Sequence, residues 1–370
     1  MTTTAKPKVA FIGTGIMGAP IAGHIMDAGY ELTVYNRTKK KAEALIERGA
    51  SWAKSPAEAA KDADVVFTML GYPTDVEEVY LASDGLLRSA KKGAWLIDLT
   101  TSSAQLARDI HEAAEASGVH AFDCPVTGGE QGALDGTLTL IVGASEGEAA
   151  PVLPLLECFS SKVFYFDAAG QGQTAKLCNQ VSLAGCMVGM ADALALAEQG
   201  GLDVEQMLAM VGSGMGGSRA LSSLAPKAVD GDYKPGFLAE HFRKDLALSI
   251  EQAGDLEITL PGTETAFTLY DMLTQIGGGK LGTQAIALLY REQADAVAAG
   301  LDWDQLDMSA FEDGDDAGEG CGCCGGDGDH ECCGGHDHAD GECCCGGHGE
   351  DHECCGGHGD GCGCCCGSEE

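Results

Sequence analysis

Residues 8–35 constrain the fold of this chain more than any other segment, because an apolar run is followed there by closely spaced glycines. Lys8–Ile12 is a short run typical of a buried strand, and the turn Gly13-Thr14-Gly15-Ile16-Met17-Gly18 interrupts it. Apolar residues then recur at helical spacing as far as Gly29, and Leu32–Tyr35 has the composition of a second strand. The segment therefore predicts a strand, a glycine-rich turn, a helix and a second strand.

The G-x-G-x-x-G spacing in this context indicates a dinucleotide-binding turn. Gly13 would permit the tight turn, and Gly15 would let a pyrophosphate approach the backbone at the positive end of the helix. Gly18 would let the helix pack on the strand, and Met17 lies inside the same cofactor-binding turn. The alternative is a glycine-rich turn without a ligand.

The end of the second strand indicates which nicotinamide dinucleotide binds. A carboxylate there would accept hydrogen bonds from the ribose 2′-hydroxyl of NAD, but the chain carries Asn36, Arg37 and Thr38 instead. A guanidinium and a hydroxyl favour the 2′-phosphate of NADP, although NAD stays possible. The lysines at 39–41 are better explained as a solvated helix face.

Further strand-like and helical runs alternate along the first half of the chain. This alternation predicts an α/β fold with a doubly wound, mostly parallel Rossmann sheet. Ligands bind beyond the carboxyl ends of such strands, which selects Leu70 and Gly71 after the third strand and Thr100 and Thr101 after the fourth. The later strands are predicted at Val65–Leu70, Ala94–Leu99, His120–Phe122, Leu138–Val142 and Val163–Phe166, and the helices at Pro56–Lys61, Ser103–Ser117 and Glu146–Cys158.

The chain from Gly170 onward lacks strand alternation and has apolar residues at helical spacing. We predict a Rossmann domain over residues 1–168, an all-helical domain over 169–311 and a tail over 312–370. Helices are expected at 174–198, 203–211, 238–253, 263–276 and 284–299.

Four segments together resemble the β-hydroxyacid dehydrogenases, the family of 3-hydroxyisobutyrate dehydrogenase, tartronate semialdehyde reductase and the glyoxylate/succinic semialdehyde reductases. The resemblance covers about residues 8–300. It is carried by FIGTGIMG, by DCPVTGGEQGALDGTLTLIVGA at Asp123–Ala144, by GQGQTAKLCNQ at Gly170–Gln180 and by PGFLAEHFRKDLALS at Pro235–Ser249.

The resemblance implies that Lys176 is the general acid/base. A lysine in a closed, partly dry cleft can have its pKa lowered enough to exchange a proton near neutral pH. Asn179 lies three residues on, on the same side of one helix, where its amide can orient the lysine and bind substrate. Without the resemblance, Lys176 would be one of 22 basic side chains, and a surface lysine would be the favoured interpretation.

The family also implies roles for residues outside the lysine segment. Thr127, Gly128 and Gly129 would bind the substrate carboxylate, since consecutive backbone N–H groups form an anion-binding nest. Thr101 would lie near the nicotinamide, Lys244 would reach the cofactor, and Asp245 is a weaker candidate beside it. Members of the family form dimers or tetramers through the helical domain, so we expect a homodimer or homotetramer.

These features predict an NADP-preferring oxidoreductase acting on a small β-hydroxyacid or its semialdehyde. The sequence does not choose between glyoxylate, succinic semialdehyde, tartronate semialdehyde and 3-hydroxyisobutyrate. Two alternatives are a metal buffer or metallochaperone with a non-catalytic body, and an NADP-sensing module. Retention of Lys176 weighs against both.

The tail, residues 312–370, follows a different compositional rule. It contains no Lys, Arg, Leu, Ile, Val, Phe or Tyr, so it cannot bury an apolar core and is expected to be disordered without a ligand. It holds 14 of the 18 cysteines and 6 of the 10 histidines. HECCGGH occurs at His330–His336 and His352–His358, and ECCCGGH at Glu342–His348.

Thiolate and imidazole are ligands of zinc, copper(I) and nickel, and glycine lets ligands three to six positions apart meet on one ion. The repeats therefore predict metal binding, the alternative being an oxidised or inert tail. The candidate ligands are Cys332, Cys333, His336, Cys343, Cys344, His348, Cys354, Cys355 and His358.

The charge is strongly negative in both parts of the chain. Of 57 acidic side chains 17 lie in the tail, which leaves 40 against 22 basic ones in the body. This argues against nucleic acid and anionic membranes as partners. We find no secretory signal and no apolar run of membrane-spanning length, so we expect a cytoplasmic protein whose four body cysteines are buried thiols.

Overall fold

The structure, a computed structural model, describes residues 6–307. The predicted tail and all of its candidate metal ligands, from Cys332 to His358, lie outside the described residues.

A parallel six-stranded sheet forms the centre of the first domain, with the strand order β3-β2-β1-β4-β5-β6. Ile12 at the end of β1 aligns with Tyr35 of β2 and Thr68 of β4, so the loops that follow these strands emerge side by side. The strands are β1 Val9–Ile12, β2 Leu32–Tyr35, β3 Ser51–Trp52, β4 Val65–Thr68, β5 Trp95–Asp98 and β6 His120–Asp123.

Helices cover both faces of this sheet, which confirms the doubly wound prediction. In β1, Val9 and Phe11 pack into one apolar cluster while Ala10 and Ile12 pack into another. The helices of this half of the chain are α1 Gly18–Asp27, α2 Glu43–Glu47, α3 Pro56–Ala60, α4 Pro73–Leu81, α5 Leu86–Ser89, α6 Ala104–Ser117, α7 Gly129–Leu134, α8 Glu146–Ala149 and α9 Leu153–Leu156.

The last three strands form a separate sheet. The sequence pattern predicted strands near the positions of the second and third of them, but it predicted neither the first strand nor the separation of this sheet from the other. The three strands are β7 Val126–Thr127, β8 Leu138–Val142 and β9 Ser160–Tyr165. β7 runs antiparallel to β8, and β8 is parallel to β9. Gly128 and Gly129 have φ angles of 134° and 65°, and these left-handed conformations help the chain turn after β7. A two-residue strand is too short to show a periodicity.

The second domain is helical, as predicted, except near its end. The segment 284–299 was predicted as one helix, but it is a 3-10 turn at Thr283–Tyr290 followed by a short helix. The Gln284 side chain donates to the carbonyls of Asp232 and Lys234, so tertiary contacts fix this segment. The helices are α10 Gln171–Gln199, α11 Val204–Gly212, α12 Arg219–Val229, α13 Ala239–Asp255, α14 Pro261–Gln275 and α15 Gln293–Ala298.

The helix α10 corrects the expectation that no apolar run reaches membrane-spanning length. It has 29 residues, and the mean hydropathy of its most apolar window is 1.5, so it is long and apolar enough by length and composition alone. The core helix of a folded domain passes the same test. Met187, Met190 and Leu194 of α10 are buried in the apolar cluster of the helical domain.

The expectation that the four body cysteines are buried is correct only for Cys124. Cys158 and Cys186 are half-buried, and Cys178 is exposed on α10. All four are free thiols. A helix that packs one face against the core leaves residues on its other face in solvent, which explains the exposure of Cys178.

A buried polar group lies at the carboxyl end of β5. Asp98 Oδ1 accepts hydrogen bonds from Thr68 Oγ1 at 2.7 Å and from the Thr100 N–H at 3.1 Å. Burial raises the pKa of Asp98 to about 6, and hydrogen bonds from Thr100 and Thr68 oppose the rise. The ionised form is therefore less stable in the folded chain than in the unfolded chain, where the ordinary pKa is 3.8.

The variant Asp98→Asn tests this burial. Since the folded-state pKa is raised, wild-type stability from this group is present below about pH 4 and is lost as the pH rises through about 6. We therefore expect the free energy of unfolding of the variant, minus that of the wild type, to be about 1–2 kcal/mol larger at about pH 8 than at about pH 5. Urea unfolding of both proteins at these two pH values measures this difference. Asp84→Asn, at an exposed carboxylate, is the control, and a constant difference would contradict the account.

Candidate active site

In the turn between β1 and α1, backbone atoms approach Gly13 and Gly18 too closely for any side chain, as the glycine motif predicts. Gly13 has φ 98°, and a Cβ there would lie 2.1 Å from the Met69 carbonyl oxygen. A Cβ on Gly18 would lie 1.9 Å from the carbonyl oxygen of Gly13, so α1 packs tightly on the turn. A Cβ on Gly15 would meet no atom within 4 Å, which leaves open space on that side of the backbone.

The polar groups of this turn fit a bound dinucleotide. Met17, at the N-terminus of α1, makes no side-chain hydrogen bond that caps the helix, so no side chain competes with an anion there. Thr14 Oγ1 is buried and has no hydrogen-bond partner among residues 6–307. Thr14, which our sequence reasoning did not select, lies within the G-x-G-x-x-G turn and is a further candidate cofactor contact.

The segment after β2 is organised by one side chain. Asn36 Oδ1 accepts a hydrogen bond from the Thr14 N–H, and Asn36 Nδ2 donates to the Thr38 carbonyl, each at 3.0 Å. Asn36 therefore joins the glycine turn to the segment that was predicted to bind the ribose. Arg37 is directed instead at α4, where its guanidinium pairs with Asp75.

The loop after β5 is held by two helices of the second domain. Gln173 on α10 accepts from the Ser102 N–H at 2.9 Å and donates to the Thr100 carbonyl at 2.8 Å. Lys244 Nζ on α13 donates to the Thr101 carbonyl at 2.5 Å. The loop also meets the chain after β4, since the Leu70 N–H donates to Thr100 Oγ1 at 2.9 Å. The predicted residues Leu70, Thr101 and Lys244 are thus brought together.

The start of α10 is fixed by a carboxylate at the end of β6. Asp123 accepts hydrogen bonds from the Gly170 N–H at 2.8 Å and from the Gln173 N–H at 2.7 Å. A Cβ on Gly143 or on Gly172 would lie less than 3 Å from this carboxylate, so both glycines give it room. The positive end of the helix dipole also stabilises a carboxylate at the N-terminus of a helix. Asp123 and Gln173 therefore position the first turns of α10.

Lys176 lies one turn after Gln173 and is buried, with 7% of its surface exposed. Burial lowers its pKa to about 8, Asp245 opposes the shift and Lys244 adds to it. No hydrogen bond fixes Nζ among residues 6–307. A buried amine with a pKa close to neutral can both accept and donate a proton, which is the chemistry expected of this residue.

A buried polar chain runs beside Lys176. Gln180 Nε2 donates to Asp245 Oδ2 at 2.6 Å, and Lys244 Nζ lies 3.1 Å from Asp245 Oδ1. Asn179 Nδ2 donates to Gln180 Oε1 at 2.8 Å. Asp245, which the sequence ranked low, is therefore part of the site, and Gln180 was not selected at all.

The predicted carboxylate-binding turn follows β7, in the first domain. Gly128 and Gly129 are exposed and Thr127 is half-buried. A Cβ on Gly129 would lie 3.9 Å from the Gly236 carbonyl oxygen, in the segment that precedes α13. The turn therefore faces the helical domain.

No group of three or more metal-ligating side chains occurs within residues 6–307. The described part of the chain thus has no metal site of that size, and the polar chain around Lys176 is built from amides, one carboxylate and two ammonium groups.

Residues 8–167 match the NAD-binding domain of 6-phosphogluconate dehydrogenase. Residues 170–290 match the NAD-binding domain of NADP-dependent 3-hydroxyisobutyrate dehydrogenase.

Known proteins resemble the chain over most of its length. An uncharacterised oxidoreductase of Bacillus subtilis (strain 168) is 42% identical over 77% of this chain and 99% of its own length. The NAD-dependent L-serine dehydrogenase of Pseudomonas aeruginosa is 36% identical over 73% of this chain and 93% of its own. The structure of Mycobacterium tuberculosis 3-hydroxyisobutyrate dehydrogenase with L-serine covers 78% of this chain and 100% of that chain, at 30% identity and a TM-score of 0.72.

The neighbours of Lys176 predict how its pKa responds to substitution. Lys244→Met removes a like charge and should raise the pKa of Lys176, whereas Asp245→Asn removes an opposite charge and should lower it. The pH dependence of Lys176 modification by an amine reagent, read by peptide mass spectrometry, measures both without requiring turnover. Exposed Lys227 provides an internal reference. Shifts of the same sign in both variants would show that these charges do not govern Lys176.

Proposed function

Since the chain belongs to the β-hydroxyacid dehydrogenase family of 3-hydroxyisobutyrate dehydrogenase and is an NAD(P)-dependent oxidoreductase of that type, we propose that it prefers NADP(H) and acts on a small β-hydroxyacid or its semialdehyde. The observation that carries this proposal is the burial of Lys176 next to the charges of Asp245 and Lys244, since Lys244 also donates to the loop after β5.

Lys176 acts as the general base in the oxidative direction and as the general acid in the reductive one. Nicotinamide, when bound, accepts or supplies the hydride. The neutral Lys176 amine takes the proton of the substrate hydroxyl, and the charged ammonium returns it to the carbonyl oxygen. With a pKa of about 8, both forms are populated near neutral pH, and the charged form also stabilises negative charge on that oxygen.

The other site residues orient the substrate. Thr127, Gly128 and Gly129 bind its carboxylate through backbone N–H groups and a hydroxyl. Asn179 binds the reacting oxygen, and its amide is held by Gln180. Because one relative is an L-serine dehydrogenase and one related structure contains L-serine, L-serine joins 3-hydroxyisobutyrate and the semialdehydes as a candidate substrate.

The preference for NADP rests on the end of β2. Arg37 and Thr38 follow this strand where a carboxylate would favour NAD, and Arg37 is 80% exposed and able to meet a phosphate. The description of the second matched family as NADP-dependent supports this choice, whereas the L-serine dehydrogenase relative is NAD-dependent.

The variant Lys176→Met tests the catalytic assignment. Loss of general acid/base catalysis should reduce kcat/KM by about 100-fold or more, with nucleotide affinity nearly unchanged. Initial rates with a panel of 3-hydroxyisobutyrate, L-serine, glyoxylate, succinic semialdehyde and tartronate semialdehyde, each with NADP(H) and NAD(H), measure it.

Lys227→Met, at an exposed lysine of α12, is the matched control and should retain full activity. Wild-type protein that turns over none of the panel would contradict the proposed substrate class. A Lys176→Met variant within about threefold of wild type would contradict the role of the lysine.

The tail is proposed to act as a separate metal-binding module, because its HECCGGH repeats supply thiolates and imidazoles in a segment without Leu, Ile, Val, Phe or Tyr. Its 20 Cys and His side chains set a ceiling of roughly five ions at four ligands each. Zinc, copper(I) and nickel are the candidates. This second activity is that of a metal buffer, and the dehydrogenase chemistry does not require it.

Comparing the full chain with a chain ending at residue 311 separates the two activities. We expect several zinc or copper(I) ions per full-length chain and none per shortened chain, by mass spectrometry and calorimetric titration, with equal turnover. Equal metal binding by both chains would contradict the module. A change of turnover when only the full chain is loaded would show instead that the tail regulates the enzyme.

We further propose that the protein is a cytoplasmic homodimer or homotetramer assembled through the helical domain. Exposed apolar side chains on this domain support the assembly: Leu196, Met210 and Met215 are 76%, 63% and 103% exposed. The free thiols of the body agree with a reducing compartment.

A further inference from the structure

Arg37 and Asp75 form an ion pair at the carboxyl-terminal edge of the sheet, where the glycine-rich turn also lies. Arg37 Nη1 and Asp75 Oδ1 are 3.0 Å apart. Arg37 follows β2 and Asp75 lies in the first turn of α4, which follows β4. The pair therefore joins the loops on either side of the glycine-rich turn.

The two partners are held to different degrees. The Arg37 side chain is 80% exposed, so few contacts besides the carboxylate restrain it. The Asp75 side chain is only 20% exposed, and its Oδ2 accepts a hydrogen bond from the Tyr72 N–H at 3.2 Å. A Cβ on Gly71 would also lie 3.3 Å from this oxygen. Asp75 is thus a fixed anion, and Arg37 is the movable partner.

We propose that Asp75 is a specificity-determining residue that sets the balance between NADP and NAD by competing with the 2′-phosphate for Arg37. The inference rests on the proposed function, in which Arg37 binds that phosphate. Asp75 acts through Arg37 and is therefore a positioning residue.

The charges explain the competition. A guanidinium paired with a carboxylate has part of its charge neutralised and some of its donors occupied, so a phosphate must displace the carboxylate or share the donors with it. The fixed carboxylate also repels a phosphate brought within a few ångströms. The ribose 2′-hydroxyl of NAD is uncharged and meets neither penalty. Asp75 therefore weakens binding of NADP and leaves binding of NAD nearly unchanged.

The competition can be measured with nucleotide fragments, which require no turnover. Adenosine 2′,5′-bisphosphate carries the 2′-phosphate and 5′-AMP lacks it, so the ratio of their Kd values reports on the phosphate contact alone. The proteins are the wild type, Asp75→Asn, Arg37→Gln and the double variant. Asn keeps an oxygen that can accept from the Tyr72 N–H, and Glu77→Gln makes the same charge change at an exposed position of α4.

We expect Asp75→Asn to bind adenosine 2′,5′-bisphosphate about three- to tenfold more tightly, with the Kd of 5′-AMP unchanged. The gain should disappear in the Arg37→Gln background, and Glu77→Gln should show little of it. Equal gains for both fragments, a gain that persists without Arg37, or weaker binding of the bisphosphate would overturn the inference.

The two proposals fail in different ways. If wild-type protein binds adenosine 2′,5′-bisphosphate no better than 5′-AMP, and Arg37→Gln changes neither, the proposed use of Arg37 for NADP is wrong and the inference falls with it. If the wild type prefers the bisphosphate through Arg37 but Asp75→Asn leaves the ratio unchanged, only the role of Asp75 is wrong.

Discussion

The burial of the Lys176 amine at the start of a long helix is the constraint on which the rest of the site depends. An ammonium removed from water loses solvation, and this lowers the pKa to about 8. Asp245 limits the shift while Lys244 increases it, so the amine lies between an opposing and a reinforcing charge. Gln180 holds Asp245 by a hydrogen bond, and the Thr101 carbonyl holds Lys244.

The two domains are aligned by hydrogen bonds between a side chain of one domain and backbone groups of the other. Asp123, at the end of a strand, accepts from the first turn of α10, and Gln173 on that helix returns to the loop after β5. The lysine is one turn away from Gln173. The loop after β5 and Lys176, the proposed proton-transferring residue, are therefore positioned by the same few contacts, and the proposed catalysis depends on this positioning.

The sequence predicted the parts of this molecule that depend on local pattern. The first strand, the glycine turn and α1 follow from hydrophobic periodicity and from contacts only a glycine can make, as Gly13 and Gly18 show. The two-residue strand β7 is too short to carry a pattern. The segment 283–290 departs from its helical pattern because it is held by tertiary hydrogen bonds such as that of Gln284. Motifs selected Lys176 and Lys244, but Gln173, Gln180 and Asp123 gain their roles from partners 47 to 73 positions away along the chain.

A crystal structure of the protein with NADP and an unreactive β-hydroxyacid would examine proton transfer by Lys176 most directly. We expect Lys176 Nζ to lie within hydrogen-bonding distance, about 3 Å, of the substrate hydroxyl. A complex in which Nζ faces solvent, or in which another side chain contacts that hydroxyl, would contradict it.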